Sequence, residues 1–140
     1  MKKLVLLGMV LLYTALVACG QDTVLQPGAV GTLLIQKLDS DGKSPGALER
    51  EEPSHMTGTR YILPFGGGEL ELFAYSNEDE AARDLQGVDE LGTSVNGVSF
   101  DFGQPPHFFM RDHVIVLYVG SDTGVLSMLE RLCGPQIRGM

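Results

Sequence analysis

Basic residues and cysteines are both scarce in this chain. Lysine and arginine number 10 against 18 aspartates and glutamates in 140 residues, a formal net charge of −8. Affinity for nucleic acid comes largely from Lys/Arg contacts to phosphate, so this balance argues against DNA or RNA as a partner. It also offers no polybasic patch to anionic lipid headgroups. The two cysteines, Cys19 and Cys133, are too few for a disulfide framework. No internal repeat occurs. No Gly-x-Ser-x-Gly elbow is present, which removes one common serine-hydrolase signature. Gly66-Gly67-Gly68 has no following Lys-Ser/Thr and no βαβ unit around it, so it reads as a hairpin turn rather than a phosphate cradle.

One long uncharged apolar run is present. Met1-Lys2-Lys3 precedes Leu4 to Val17, the pattern of a secretory signal. As a helix it would span roughly 21 Å, short for a bilayer core of roughly 30 Å, so a cleaved leader fits better than a permanent span. Its end, Leu16-Val17-Ala18-Cys19, resembles the lipobox of bacterial lipoproteins. That resemblance implies a diacylglycerol on the Cys19 thiol, cleavage before Cys19 and acylation, for example by palmitate, of the new amino group. The plainer alternative is an ordinary signal peptide with a chance cysteine. Two or more acyl chains hold a protein stably where one does not. Gly20 stands where an Asp would resemble the inner-membrane retention signal. The implied location is therefore the outer membrane where the host has one, or else the outer face of the plasma membrane. Either way the protein faces the periplasm or cell exterior. Loss of Lys2 and Lys3 would take the charge to −10.

The expected division is a signal peptide over 1–18, a lipidated N-terminus and flexible tether over 19–28, and one domain over 29–140. Pro27-Gly28 closes the polar tether. Val30, Leu33, Leu34 and Leu38 recur at helical spacing. A turn-rich stretch follows from Asp39 to Gly46, then a short exposed strand over Leu48 to Glu52. Arg60–Leu63 and Glu69–Tyr75 read as strands joined by 64–68, with Leu70 and Leu72 on one face and Glu69 and Glu71 on the other. Asn77 and Glu80 form a capping box for a helix bearing Ala81, Ala82 and Leu85, ended by Gly87. Val98-Ser99-Phe100-Asp101-Phe102 alternates, which predicts three inward apolar residues. After Pro105-Pro106, His107–Met110 and His113–Val119 read as a hairpin turning at Arg111-Asp112. The second strand is apolar on both faces and should be central and covered. A last helix ends at Gly134-Pro135, with Leu126, Leu129 and Cys133 on one face. The pattern predicts an α+β fold, a single two-layer domain whose antiparallel sheet carries helices on one face.

Pro106-His107-Phe108-Phe109, Ile115-Val116-Leu117-Tyr118-Val119-Gly120, Val125-Leu126, Leu129 and Gly134-Pro135-Gln136, together with Leu72-Phe73-Ala74-Tyr75-Ser76, resemble a group of small uncharacterised bacterial lipoproteins. The likeness covers roughly residues 30–140 and implies no catalytic or binding residue. Two positions depart from it: Arg111-Asp112, where a turn glycine is expected, and Cys133, usually aliphatic.

Few residues could carry chemistry. On the hairpin above, His107 and His113 point to opposite faces, so they cannot share a zinc, which needs three or four converging ligands. His107 lies near Asp101 in sequence and beside Tyr118 in the hairpin, and a His–Asp pair can poise a general base. The plainer reading is a histidine that fixes the hairpin entry. His55 has no evident partner. Asp39-Ser40-Asp41-Gly42 lacks the Gly and Glu positions of a calcium loop and reads as a turn. Glu49, Glu51 and Glu52 read as a solvated cluster. Cys133 reads as a buried inert thiol, the alternatives being a reactive thiol or an intermolecular disulfide. No cofactor or metal is expected. The expected role is a lipid-anchored cell-envelope protein, a non-enzymatic module that binds a protein or small ligand on the sheet face free of helices. The alternatives are a small enzyme centred on His107 with Asp101 or Tyr118, and a purely structural component.

Overall fold

The computed structural model describes residues 25–140. The expected signal peptide, Cys19 and the start of the tether lie outside the described residues. In chain order the elements are α1 (Gly28–Ser40), β1 (Glu49–Arg50), β2 (Thr59–Phe65), β3 (Gly68–Ala74), α2 (Glu78–Leu85), β4 (Ser94–Val95), β5 (Val98–Ser99), β6 (Pro106–Arg111), β7 (Val114–Val119), α3 (Thr123–Cys133) and β8 (Arg138–Gly139). Six strands form one antiparallel sheet in the order β1-β2-β3-β7-β6-β8, and β4 pairs with β5 as a separate ribbon. The α+β class and the antiparallel sheet are those expected from the sequence.

Alternation along β3 and β7 sorts the core into two layers. Leu70, Leu72 and Ala74 share the first face with Val114, Val116 and Tyr118. Val30, Leu34 and Leu38 of α1 and Val125, Met128 and Leu129 of α3 cover that face. Phe73, Phe108, Ile115 and Leu117 occupy the second face, under Ala81 and Leu85 of α2 with Met56, Val88 and Val95. Among the described residues α1 and α3 thus share a face, and α2 lies on the other, so the helices are not confined to one face as expected. Strand β7 is apolar on both sides, so helices on one face alone would leave Ile115 and Leu117 in water.

Some details differ from the sequence reading. The β6–β7 hairpin turns at Asp112-His113 rather than Arg111-Asp112, with Arg111 opposite Val114 and His107 directly opposite Tyr118. Asp112 takes φ +51, a conformation that Asp tolerates better than most residues, so the turn closes without the expected glycine. The slide is by two residues, so every side chain keeps its expected face. Val98 was expected inward but is 58% exposed. Asn96 and Gly97 both have positive φ and turn a two-residue hairpin between Val95 and Val98, which turns Val98 outward. The last helix centres its buried face on Val125, Met128 and Leu129, while Leu126 and Cys133 are half-buried beside it. Leu25 and Gln26, expected within a flexible segment, are held to the domain. Tyr61 donates its hydroxyl hydrogen to Leu25 O at 2.7 Å, His113 Nε2 donates to Gln26 O at 3.2 Å, and Leu25 packs on the first-face core.

The capping box forms in part. Asn77 Oδ1 accepts from Glu80 N at 2.9 Å, but the Glu80 carboxylate takes the Ser76 hydroxyl rather than the Asn77 N–H. One turn further on, Asp84 is 8% exposed. Its Oδ2 accepts the Tyr75 hydroxyl and the Thr57 N–H, the latter at 2.8 Å. Burial, then the bond to Asp84, pushes the Tyr75 hydroxyl well above its ordinary pKa. This carboxylate ties α2, the end of β3 and the β1–β2 loop together. Asp84→Ala would strand two donors and should cost about 2–3 kcal/mol in urea unfolding, while Tyr75→Phe, which removes one donor cleanly, should cost about 1 kcal/mol.

Candidate functional site

His107 is the second residue of β6 and is 6% exposed. Its Nε2 donates to Gly120 O at 2.9 Å, an oxygen that can only accept. Its Nδ1 lies 2.7 Å from the Gln136 side-chain amide. There it either accepts from the NH₂ end or, as imidazolium, donates to the oxygen. Both nitrogens are therefore engaged in holding the end of β7 and the C-terminal segment. Tyr118 stacks on the ring at 6.1 Å between centroids, and its hydroxyl accepts from Asp122 N at 3.2 Å. Asp101 is exposed, and its Oδ1 accepts from Gly103 N at 3.0 Å. The structure brings His107 and Tyr118 together but gives Asp101 a different partner.

The other sequence candidates are separate. His113 sits at the hairpin turn, at the opposite end of β6 from His107. Among the described residues no three His, Cys, Asp or Glu side chains converge as a metal set. His55 does have a partner: its ring lies 4.5 Å from that of Phe100. Asp41 pairs with Lys37 at 2.9 Å. Glu52 pairs with Arg50 at 2.8 Å and Glu51 approaches Arg60 at 3.9 Å, both at the solvent. Cys133 is half-buried, and burial pushes its thiol up to about 11, against a smaller opposing effect of Arg111. At neutral pH it is protonated, the weakly nucleophilic form.

A cleft lies at one end of the second face. Its origin is a mismatch of lengths. At 1.5 Å per residue the 13-residue α1 is about 20 Å long, enough to cover a seven-residue strand, whereas the eight-residue α2 is about 12 Å. The end of the second face beyond α2 carries Glu69, Glu71 and half-buried Val119, with the buried Leu117 at its inner edge. The segment after β5 folds over it as a ridge, with Phe100 and Phe102 stacked at 5.8 Å. Phe102 and Gln104 separate two hollows. One, of about 270 Å³, lies over the sheet residues just named. The other, of about 330 Å³, is lined by Thr93, Phe100, Asp101, Pro105, Pro106 and Met140 among others. Asp89 fixes Thr93 at the edge: its carboxylate accepts from Thr93 N at 2.6 Å, Ser94 N at 2.8 Å and the Thr93 hydroxyl at 2.9 Å. The Ser94 N–H bond above all holds the Asp89 carboxyl below its usual range. The sequence reading missed this cleft. Its only signal was the Gly103-Gln104-Pro105-Pro106 run after Phe102, which breaks the alternation.

Two outcomes follow. His107→Ala should free the C-terminal segment, seen as faster hydrogen exchange at Gly139 N and Met140 N, which bond Glu90 O and Pro106 O. Protection left unchanged would show that His107 does not hold this segment. Asp89→Ala should lower the melting temperature at neutral pH. Because the folded carboxyl titrates below its ordinary 3.8, its stabilisation is present above that value. The gap between variant and parent should close as pH falls through the depressed pKa. No protein-family profile, curated protein or solved structure matches this chain.

Proposed function

We propose that this chain is a lipid-anchored cell-envelope protein, held at the membrane through Cys19, that works by binding rather than by catalysis. The observation that carries the reading is the arrangement of the two ends of the sheet. Leu25 and Gln26 dock at the end where β2 begins and the β6–β7 hairpin turns. The cleft opens at the other end, beside Gly68 and Val119. Cys19 and Leu25 are six residues apart, a reach of about 22 Å at most. A lipid on Cys19 would keep the docking end close to the bilayer and leave the cleft, a strand length of roughly 20 Å further out, facing away. Among the described residues no helix is long and apolar enough to cross a membrane. In this reading His107, with both ring nitrogens engaged, is a structural residue.

Cell fractionation tests the anchor. Cys19→Ala should appear in the soluble fraction or as an uncut precursor; a processed, membrane-bound variant overturns the lipid reading. Native mass spectrometry of the parent in mild detergent should give residues 19–140 plus acyl chains with a second species bound. A lipidated chain with nothing bound would favour a structural role instead.

A further inference from the structure

We infer that the cleft at the membrane-distal end takes a cationic segment of a partner protein, a lysine or arginine flanked by apolar side chains. The inference rests on the binding reading above and names the chemistry of its ligand. The cleft pairs apolar surface with charge of one sign. Phe102 is half-buried between the two hollows, and Leu117 and Val119 lie beneath the smaller one. Three charged side chains line the hollows, Glu69, Glu71 and Asp101, and all are acidic. Arg60 meets Glu71 at 2.9 Å and neutralises it. Among the described residues Glu69 and Asp101 have no ion-pair partner, and both are exposed.

A cation over the face of Phe102 would meet the negative side of the ring quadrupole, with carboxylates to either side. The apolar part of the segment would cover Val119, which is half-buried beyond the end of α2. Charge favours this occupant over the others. A second copy of this acidic chain, or an anionic headgroup, would bring like charge to Glu69 and Asp101. A neutral ligand would leave both carboxylates without a counter-charge.

The test is calorimetric titration of the mature lipidated chain in mild detergent, with a blank into empty micelles. The probes are an end-blocked Lys-Leu-Lys peptide and its Gln-Leu-Gln and Glu-Leu-Glu analogues. The lysine peptide should bind at least about tenfold more tightly than the glutamine one, and the glutamate one should not bind. Glu69→Gln and Phe102→Ala should each weaken the lysine peptide several-fold, and added salt should weaken it further. Phe102 also packs on the core, so exposed Glu69 is the variant that keeps the test sound if Phe102→Ala misfolds. Equal binding of lysine and glutamine peptides, lost in Phe102→Ala, would overturn the cationic chemistry while leaving a binding module. Lysine-peptide binding indifferent to both substitutions would be general attraction to an acidic chain and would also overturn the inference. No binding of any peptide overturns it too, and the native mass spectrum then decides whether the binding reading falls with it.

Discussion

The pairing of β3 with β7 is the interaction on which the other layers depend. These strands lie at the middle of the six-stranded sheet, with Leu72 opposite Val116 and Phe73 opposite Ile115. One pair faces α1 and α3, the other faces α2, and all four side chains are essentially inaccessible to water. Burial of one such side chain is worth about 1.5–3 kcal/mol, so each pair stabilises two layers through a single stretch of ladder. A slip of one residue would exchange the faces. It would put Glu71 beneath α1 and α3, where an unpaired carboxylate is prohibitively costly. The alternation Glu-Leu-Glu-Leu in β3 therefore selects the register as well as the strand.

Polar groups are used mainly to attach segments that have little core of their own. Asp84 holds the β1–β2 loop, and His107 holds the C-terminal segment. Tyr61 and His113 hold the residues before α1. Arg111 donates to Leu132 O and secures the end of α3. Each attachment joins residues far apart in sequence through a donor or acceptor that would be costly to bury unpaired. Buried His107 and Asp84, which in isolation resemble catalytic groups, each hold such a segment.

Legibility in the sequence followed the strength of the local pattern. Helix α1, the β2–β3 hairpin, α2 with its Asn77 cap and the covered strand β7 are all written in period or capping chemistry, and the structure places them where that chemistry predicts. The region between Gly87 and Pro106 was not readable as an inward strand. Its two-residue strands have no period to detect, and Asn96-Gly97 turns the chain before the alternation at Val98 begins. Strand β8 is equally silent, because Arg138-Gly139 pairs with β6 through backbone alone. The partners of His107 came from Gly120 and Gln136, 13 and 29 residues away, so proximity to Asp101 in sequence was a poor guide. The cleft was invisible for a related reason: it exists because α2 is shorter than the strands it covers, a comparison of lengths across the fold.

Short tether, acidic charge and cleft position act on one another in the proposed orientation. Fields between exposed charges decay over about 8 Å at physiological ionic strength. With Cys19 anchored as proposed, a reach of about 22 Å to Leu25 would let the docking end move through two to three such lengths above the surface. If the chain is anchored as proposed, its acidic charge near an anionic bilayer would be repelled, which would favour the sheet end bearing the cleft facing outward. A longer tether would let the domain tumble and would average this orientation away. A basic domain would instead lie on the lipid and bring the cleft close to it. The same charge that disfavours contact with the bilayer would attract a cationic segment approaching from the far side, so the proposed anchoring and the proposed recognition would use one electrostatic sign without conflict.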